Sequence, residues 1–307
     1  MQTTIRSAIS FQGFGLHSGK PARLTIRPAS ANHGVWFKRT DIMLGDSLVP
    51  ARWDAVELSP LCTRIKNRAG VEVATIEHLM AALVGCGIHN ALVEIDGPEV
   101  PILDGSAAPF VRGILSRGVR ELPVPLRVIE VLTAVEVHTA HGWARLSPGA
   151  GGLSMDFHIS FADAAIGTQD KGLNLANGAF VRELCDSRTF CRQADVDTMR
   201  ANGLALGGTM ENAVVVDGDR VLSPGGLRHA DEAVRHKMLD ALGDLSLAGS
   251  PLIGHYTGHK AGHSMTNMLL RELFSMPDAF RMVQADGRTA ARLPGAGVGR
   301  HEIPAVA

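Results

Sequence analysis

Glu121-Leu122-Pro123-Val124-Pro125-Leu126 divides this chain. Its two prolines disfavour helix and hold the residues before them extended, so the segment reads as a linker. On its N-terminal side, Ala22-Arg23-Leu24-Thr25-Ile26-Arg27 alternates with period two, and Val35-Trp36-Phe37-Lys38 is a second strand-like run. Helical patterns follow over 76–85 and 108–118. Between them Asn90-Ala91-Leu92-Val93-Glu94-Ile95 reads as a strand that ends at the turn Asp96-Gly97-Pro98. Beyond the linker the pattern restarts. Strands are expected over 128–137, 143–146 and 153–161, with a turn at 149–152, and helices over 179–185 and 229–247. Strands followed by helices in each half predict an α+β fold of two domains, 1–122 and 126–283, rather than an alternating β-α-β sheet. The remainder, 284–307, is rich in Gly, Ala and Arg, has no periodicity, and is expected to be loosely ordered.

Bulk properties narrow the function. A 307-residue chain with 45% hydrophobic residues can bury one large or two medium cores. A net charge of −1, a pI near 6.9 and scattered basic residues give no electrostatic reason to bind nucleic acid or an anionic membrane. Cys62, Cys86, Cys185 and Cys191 lack C-x-x-C spacing and read as small buried hydrophobes of a reducing compartment, not as a disulfide framework. Met1-Gln2-Thr3-Thr4-Ile5-Arg6 lacks a signal-peptide core, and the longest apolar run, 79–88, is too short to span a bilayer. A cytoplasmic protein without a transmembrane segment is expected.

The chemistry is concentrated in Val234-Arg235-His236-Lys237-Met238-Leu239-Asp240-Ala241-Leu242-Gly243-Asp244. Val234, Met238 and Leu242 repeat at a four-residue step, so this is a helix with one apolar face. Positions four apart share a face, which puts His236 and Asp240 together, able to hold one cation. A second helical segment, Thr75-Ile76-Glu77-His78-Leu79-Met80-Ala81-Ala82-Leu83, offers a third ligand in His78. Three protein ligands and an open fourth position define a catalytic zinc site, whereas a structural one takes four. Glu77 stands beside His78, where a base could reach the attacking water, and the polar cluster His259-Lys260-Ala261-Gly262-His263 follows. Each motif alone is more often a solvated surface pair worth about 0.2–0.5 kcal/mol. Their coincidence favours the metal.

The motifs together resemble the UDP-3-O-acyl-N-acetylglucosamine deacetylase family, the zinc amidases of lipid A synthesis. The resemblance runs from about Thr4 to Phe274, in the family's order. It is carried by Gly15-Leu16-His17-Ser18-Gly19-Lys20, the Glu77-His78 segment, Pro101-Ile102-Leu103-Asp104-Gly105-Ser106-Ala107, Ser187-Arg188-Thr189-Phe190, Leu206-Gly207-Gly208, the run 235–245, and Gly262-His263-Ser264-Met265-Thr266-Asn267. It implies two similar two-layer α/β sandwich domains with the active site between them, and release of acetate from the N-acetyl group of UDP-3-O-acyl-GlcNAc. It implies a monomeric enzyme with one catalytic Zn²⁺, Fe²⁺ being the alternative ion, and contact with the membrane surface only while the acyl chain is collected.

Position by position, the resemblance implies that His78, His236 and Asp240 are the zinc ligands and Glu77 the general base. His263 matches the cationic histidine that steadies the oxyanion and protonates the leaving nitrogen, Asp244 the carboxylate that orients it, and Thr189 a hydroxyl on the oxyanion. Lys237 and Lys260 match basic residues facing the sugar-diphosphate, and His17 a residue lining the substrate site. Val196, Met199, Thr209 and Val215 resemble the acyl passage beside Phe190, and Phe161 a uracil-stacking ring. Cys191 departs from the pattern, because the family usually has Gly after Thr-Phe, and a Cβ there is expected to affect the acyl groove. Gly13-Phe14-Gly15-Leu16-His17-Ser18-Gly19-Lys20 is not a nucleotide loop: Ser18 and Pro21 stand where a dinucleotide fingerprint needs Gly and a P-loop needs Ser or Thr. A reading from another class, a non-catalytic nucleotide-sugar-lipid binding protein of the same fold, would be free to lose Glu77 or His263, and both are present.

Overall fold

The computed structural model describes residues 1–59 and 61–304. The fold is α+β, with seven α-helices among the described residues: α1 (Glu77–Gly85), α2 (Ala108–Arg117), α3 (Ala179–Glu183), α4 (Gln193–Ala201), α5 (Glu232–Leu245), α6 (His263–Ser275) and α7 (Gly287–Ala290). In the N-terminal half a five-stranded sheet runs in the order Ile9–Phe14, Pro21–Pro28, Ala91–Ile95, Val35–Arg39, Leu48–Pro50. Pairing is antiparallel except between Val35–Arg39 and Ala91–Ile95. Alternation selects the inner face: Ala22, Leu24 and Ile26 are buried, while Pro21 and Arg23 are exposed. Leu24, Ile26, Phe37, Val93 and Ile95 share one core with Leu79 and Leu83 of α1 and Phe110 and Ile114 of α2.

The C-terminal half holds a seven-stranded sheet centred on Leu252–His259. That strand pairs in parallel with Arg127–Val131 over its first two residues, in parallel with Leu153–Ser160, and antiparallel with Trp143–Ser147. Sequence patterning does not mark it, because Gly254 and Gly258 interrupt the strand signal. Packing requires the second of these glycines: a Cβ at Gly258 would come within 2.7 Å of the Phe157 ring. Helices α5 and α6 lie against this sheet.

The halves meet where α1 packs on α5. Gly243, a residue that disfavours helix, lies inside α5 and is buried. A Cβ on it would fall 2.1 Å from the Glu77 carbonyl oxygen, so the glycine lets the two helices touch backbone to backbone. The tail differs from its compositional expectation. Helix α7 is capped by Asp286, which accepts from the Thr289 N–H at 2.7 Å; Leu293 is buried; and Gly295, at φ 80°, lies so close to Gly87 that a Cβ would be 2.0 Å from its nitrogen. Glu302 pairs with Arg182. Glycines that look like disorder in sequence here permit close backbone contact, and residues 305–307 lie outside the described part. All four cysteines are free, three of them buried. Among the described residues no helix is long and apolar enough to cross a membrane.

Candidate metal centre and its cavity

Helix α1 begins at Glu77, so Glu77 and His78 occupy its first turn, and α5 presents His236 and Asp240 one turn apart. Packing α1 on α5 brings the imidazole Nε2 atoms of His236 and His78 to 3.3 and 3.6 Å from Asp240 Oδ1. All three side chains are buried. A tetrahedron with bonds of about 2.0 Å has edges of about 3.3 Å, so these spacings suit one small cation with zinc-like coordination. Two details support that fit. Asp240 Oδ1 is buried without any hydrogen-bond partner, which is costly unless something else satisfies it. The His236 Nδ1–H donates to the Ser187 carbonyl at 3.0 Å, which leaves Nε2 with its lone pair toward Asp240. Burial pushes the His236 imidazole down to about 4, keeping it neutral. Burial opposes ionisation of Asp240 as well, but His236, Lys237 and His263 outweigh it and hold its carboxyl well below the usual range.

An acid–base pair flanks the triad. The Glu77 carboxyl is pushed up by burial, against the pull of His263 and His78. Its Oε1 lies 4.0 Å from His263 Nε2. His263 opens α6, and its Nδ1 is 2.9 Å from Asp244 Oδ2, one turn beyond Asp240 on α5. Burial alone would lower the His263 pKa; Asp244, Glu77 and Asp240 together override it and raise the imidazole to about 9. A carboxyl made more basic by burial and an imidazolium thus face each other across a short gap. The Lys237 ammonium donates to Asp240 Oδ2 at 3.0 Å.

These groups open into a cavity of about 650 Å³. His17, Lys237, His263 and Thr189 line its polar end. Phe161, Phe190, Val196, Met199, Thr209 and Val215 line the rest, together with Leu61, Met210 and Ala213. Phe161 and Phe190 meet edge to face at 5.4 Å. Much of the wall comes from α4, from the segment 205–213, and from a small sheet in which Phe190–Arg192 pairs in parallel with Val214–Val216. Cys191 belongs to that ladder, opposite Val215, in ordinary extended backbone, and its thiol becomes part of the wall. The structure therefore brings together every sequence-predicted residue except Lys260, which is exposed at a left-handed turn (φ 52°) after the central strand and does not line the cavity.

Sequence reading missed the groups that hold these side chains. Glu99 is buried and accepts the N–H groups of His17 and Ser18, each at 2.8 Å, and the Thr75 hydroxyl at 3.0 Å. It thereby ties the tip of the 15–20 turn to the foot of α1. Gly15 has no Cβ because the Glu99 carboxylate would be 2.2 Å from it. The buried Arg188–Glu232 ion pair fixes the chain that presents Ser187 and Thr189. Thr63 bonds to both Glu77 and Asp244. Glu99, Glu232 and Thr63 belong to no local pattern; each is defined by a contact distant in sequence.

A single-metal triad with an adjacent acid–base pair and an apolar cavity defines the class of metal-dependent hydrolases. Residues 2–275 match the family model described as UDP-3-O-acyl N-acetylglycosamine deacetylase (LpxC), and the chain belongs to that family. It is 49% identical over 281 residues to the UDP-3-O-acyl-N-acetylglucosamine deacetylase of Phenylobacterium zucineum, covering 92% of this chain and 96% of that protein. It is 42% identical over 301 residues to the protein of the same name from Shewanella frigidimarina, covering 96% and 98%. A Shewanella oneidensis relative of that name is also 42% identical, over 300 residues.

Proposed function

We propose that this chain hydrolyses the N-acetyl amide of UDP-3-O-acyl-N-acetylglucosamine, giving the free glucosamine amine and acetate, with one zinc ion held by His78, His236 and Asp240. The observation that carries the reading is the buried, partnerless Asp240 Oδ1 beside two imidazole nitrogens, at the end of a cavity large enough for an acyl chain. When bound, zinc supplies Lewis acidity, which makes water more acidic and the amide carbonyl more electrophilic. The family membership disfavours a binding protein without catalysis.

The chain's own groups do the rest. Glu77 accepts a proton from the attacking water, and its burial raises its basicity for that task. His263, cationic at neutral pH, donates toward the developing oxyanion and then gives its Nε2 proton to the leaving amine. Asp244 fixes the ring through Nδ1. The Thr189 hydroxyl adds a donor to the oxyanion, and Lys237 and Lys260 attract the diphosphate. The acyl chain lies along Phe190, Val196, Met199, Thr209 and Val215, and Phe161 stacks on the uracil. The domain boundaries proposed are 1–122 and 126–283, with the site at the seam. The test is release of acetate from UDP-3-O-acyl-GlcNAc before chelation, after chelation, and after adding back zinc or ferrous iron in turn. Undiminished turnover in metal-free protein would refute the metal mechanism.

A further inference from the structure

The segment before the strand Arg64–Lys66 touches all three helices that carry the acid–base groups. The Ser264 hydroxyl, at the start of α6, donates to the Ser59 carbonyl at 2.8 Å. Thr63, buried, uses each of its polar groups. Its carbonyl accepts the Ile76 N–H at 3.3 Å, next to the first residue of α1. Its N–H donates to Glu77 Oε2 at 3.0 Å. Its hydroxyl donates to Asp244 Oδ1. Asp244 Oδ2 is taken by His263 Nδ1, so the hydroxyl is the partner of the other oxygen. Thr63 thus holds one oxygen of each carboxylate and leaves the working atoms, Glu77 Oε1 and His263 Nε2, facing each other at 4.0 Å.

We propose that Thr63 is a positioning residue that sets the general base and the acid histidine in one frame, acting on Glu77 through its backbone N–H and on His263 through Asp244. The proposal rests on the roles given above to Glu77, Asp244 and His263. The physical reason is geometric. A carboxylate oxygen accepts hydrogen bonds over a broad range of directions, so Asp244 with only the histidine bound could swing about its Cβ–Cγ bond and carry the ring with it. A second, fixed donor from another element stops that rotation. Proton transfer to an attacking or leaving atom depends steeply on such placement. The N–H half of the bridge is set by backbone, so it survives substitution. The hydroxyl half does not, and it is the half that can be tested.

Thr63→Val keeps the shape and the N–H and removes the hydroxyl. The expected result is a fall in kcat of about 10–100-fold, the range for lost supports of a metal-site residue, with KM within about twofold and a full complement of zinc. Thr63→Ser restores the donor and is expected to recover kcat to within about threefold of the parent, although a freer rotor holds the carboxylate less firmly. The decisive measurement is the double-mutant cycle with Asp244→Asn. If the hydroxyl acts through Asp244, adding Thr63→Val to Asp244→Asn costs little more than Asp244→Asn alone. Wild-type kcat in Thr63→Val overturns the proposal, as does a loss that appears in KM, a loss of bound zinc, or losses that multiply independently in the double variant. If Thr63→Val does not fold, Thr63→Ala enters the same cycle with the same criteria. The two readings separate cleanly: wild-type kcat in both Asp244→Asn and Glu77→Gln defeats the acid–base assignment itself, whereas impaired Asp244→Asn beside unimpaired Thr63→Val defeats only the role of Thr63.

Discussion

The α1–α5 seam and the cavity wall border the same space but are built differently. At the seam, Glu77, His78, His236, Asp240 and Asp244 are all buried, on two helices in backbone contact, and each but Asp240 Oδ1 has its polar partners nearby. The wall comes from strands of three and four residues, from the segment 205–213, and from α4, where Val196 is the one buried residue. Leu61, Leu206 and Met210 at or near its rim are exposed. The difference separates two tasks. Bond breaking needs side chains held to fractions of an ångström, and only densely packed, hydrogen-bonded elements achieve that. Holding a flexible chain needs apolar area, which a loosely supported wall provides.

The largest effect should come from the ligands. His78→Ala, His236→Ala and Asp240→Ala are each expected to lose bound zinc and bring turnover to background, read by metal analysis and acetate release on the same samples. A ligand variant that keeps both would break the comparison at its stronger side. Next in size come Glu77→Gln and His263→Ala, each expected to lower kcat/KM by about 10²–10⁴-fold. Their pH dependence has a definite sign. Glu77 must be ionised, so the rate falls on the acid side. His263 must be protonated, so the rate falls as pH rises through about 9. Asp244→Asn removes the carboxylate that offsets burial, so the basic limb should move to lower pH. The limbs belong to a coupled site, and the mutants are what assign them. A basic limb unmoved in His263→Ala would pass the acid role to another group, with Lys237 the nearest candidate.

Much of the seam was legible because its information is local. The four-residue step from His236 to Asp240 and on to Asp244, and the adjacency of Glu77 and His78, follow from helix periodicity. Meeting of the two helices did not follow from pattern, because it depends on Gly243, and a lone glycine in a helical run reads as a stop signal. Helix α4, the strand Thr168–Asn174 and the central strand Leu252–His259 were not legible either. The first is polar on most faces, the second is half exposed throughout, and the third carries glycines that only its neighbours explain. The packed tail was hidden for the same reason. Lys260 was named by likeness alone, and its exposed position leaves its contact with substrate to be tested.

Gly243 gives the third test, on stability as well as rate. In Gly243→Ala the new methyl would meet the Glu77 carbonyl, so α1 must move away from α5. Overpacking of this kind costs about 1–3 kcal/mol, which urea unfolding of the metal-free protein would measure. Because the displaced helix carries His78, zinc affinity should fall in parallel. Loss of stability with unchanged zinc affinity would mean that the triad tolerates more movement than the seam's packing suggests.

The smallest effects belong to the wall, and they should appear as preference between substrates rather than as lost chemistry. Met199→Ala removes side-chain atoms from the cavity lining; at about 0.8 kcal/mol per buried methylene, a long acyl chain should lose roughly 1–2 kcal/mol of binding. A substrate too short to reach α4 should lose almost none of it. Cys191→Gly is gentler. It removes one Cβ and one sulfur from the wall, opposite Val215, and widens the passage without touching the ligands or the acid–base pair. The expected outcome is a shift of about 1 kcal/mol toward longer or bulkier chains, the low end of the range over which apolar pockets discriminate single methylenes. A glycine in the short strand also adds about 0.5–1 kcal/mol of destabilisation through backbone entropy. The measurement is the ratio of kcat/KM for a long and a short acyl substrate, each relative to the parent enzyme. If Cys191→Gly lowers both equally, with kcat carrying the loss, then this strand positions Thr189 and Phe190 for the reaction, and wall and seam are one mechanical unit. A change confined to the ratio would keep them apart, with acyl preference set by a wall that the chemistry does not feel.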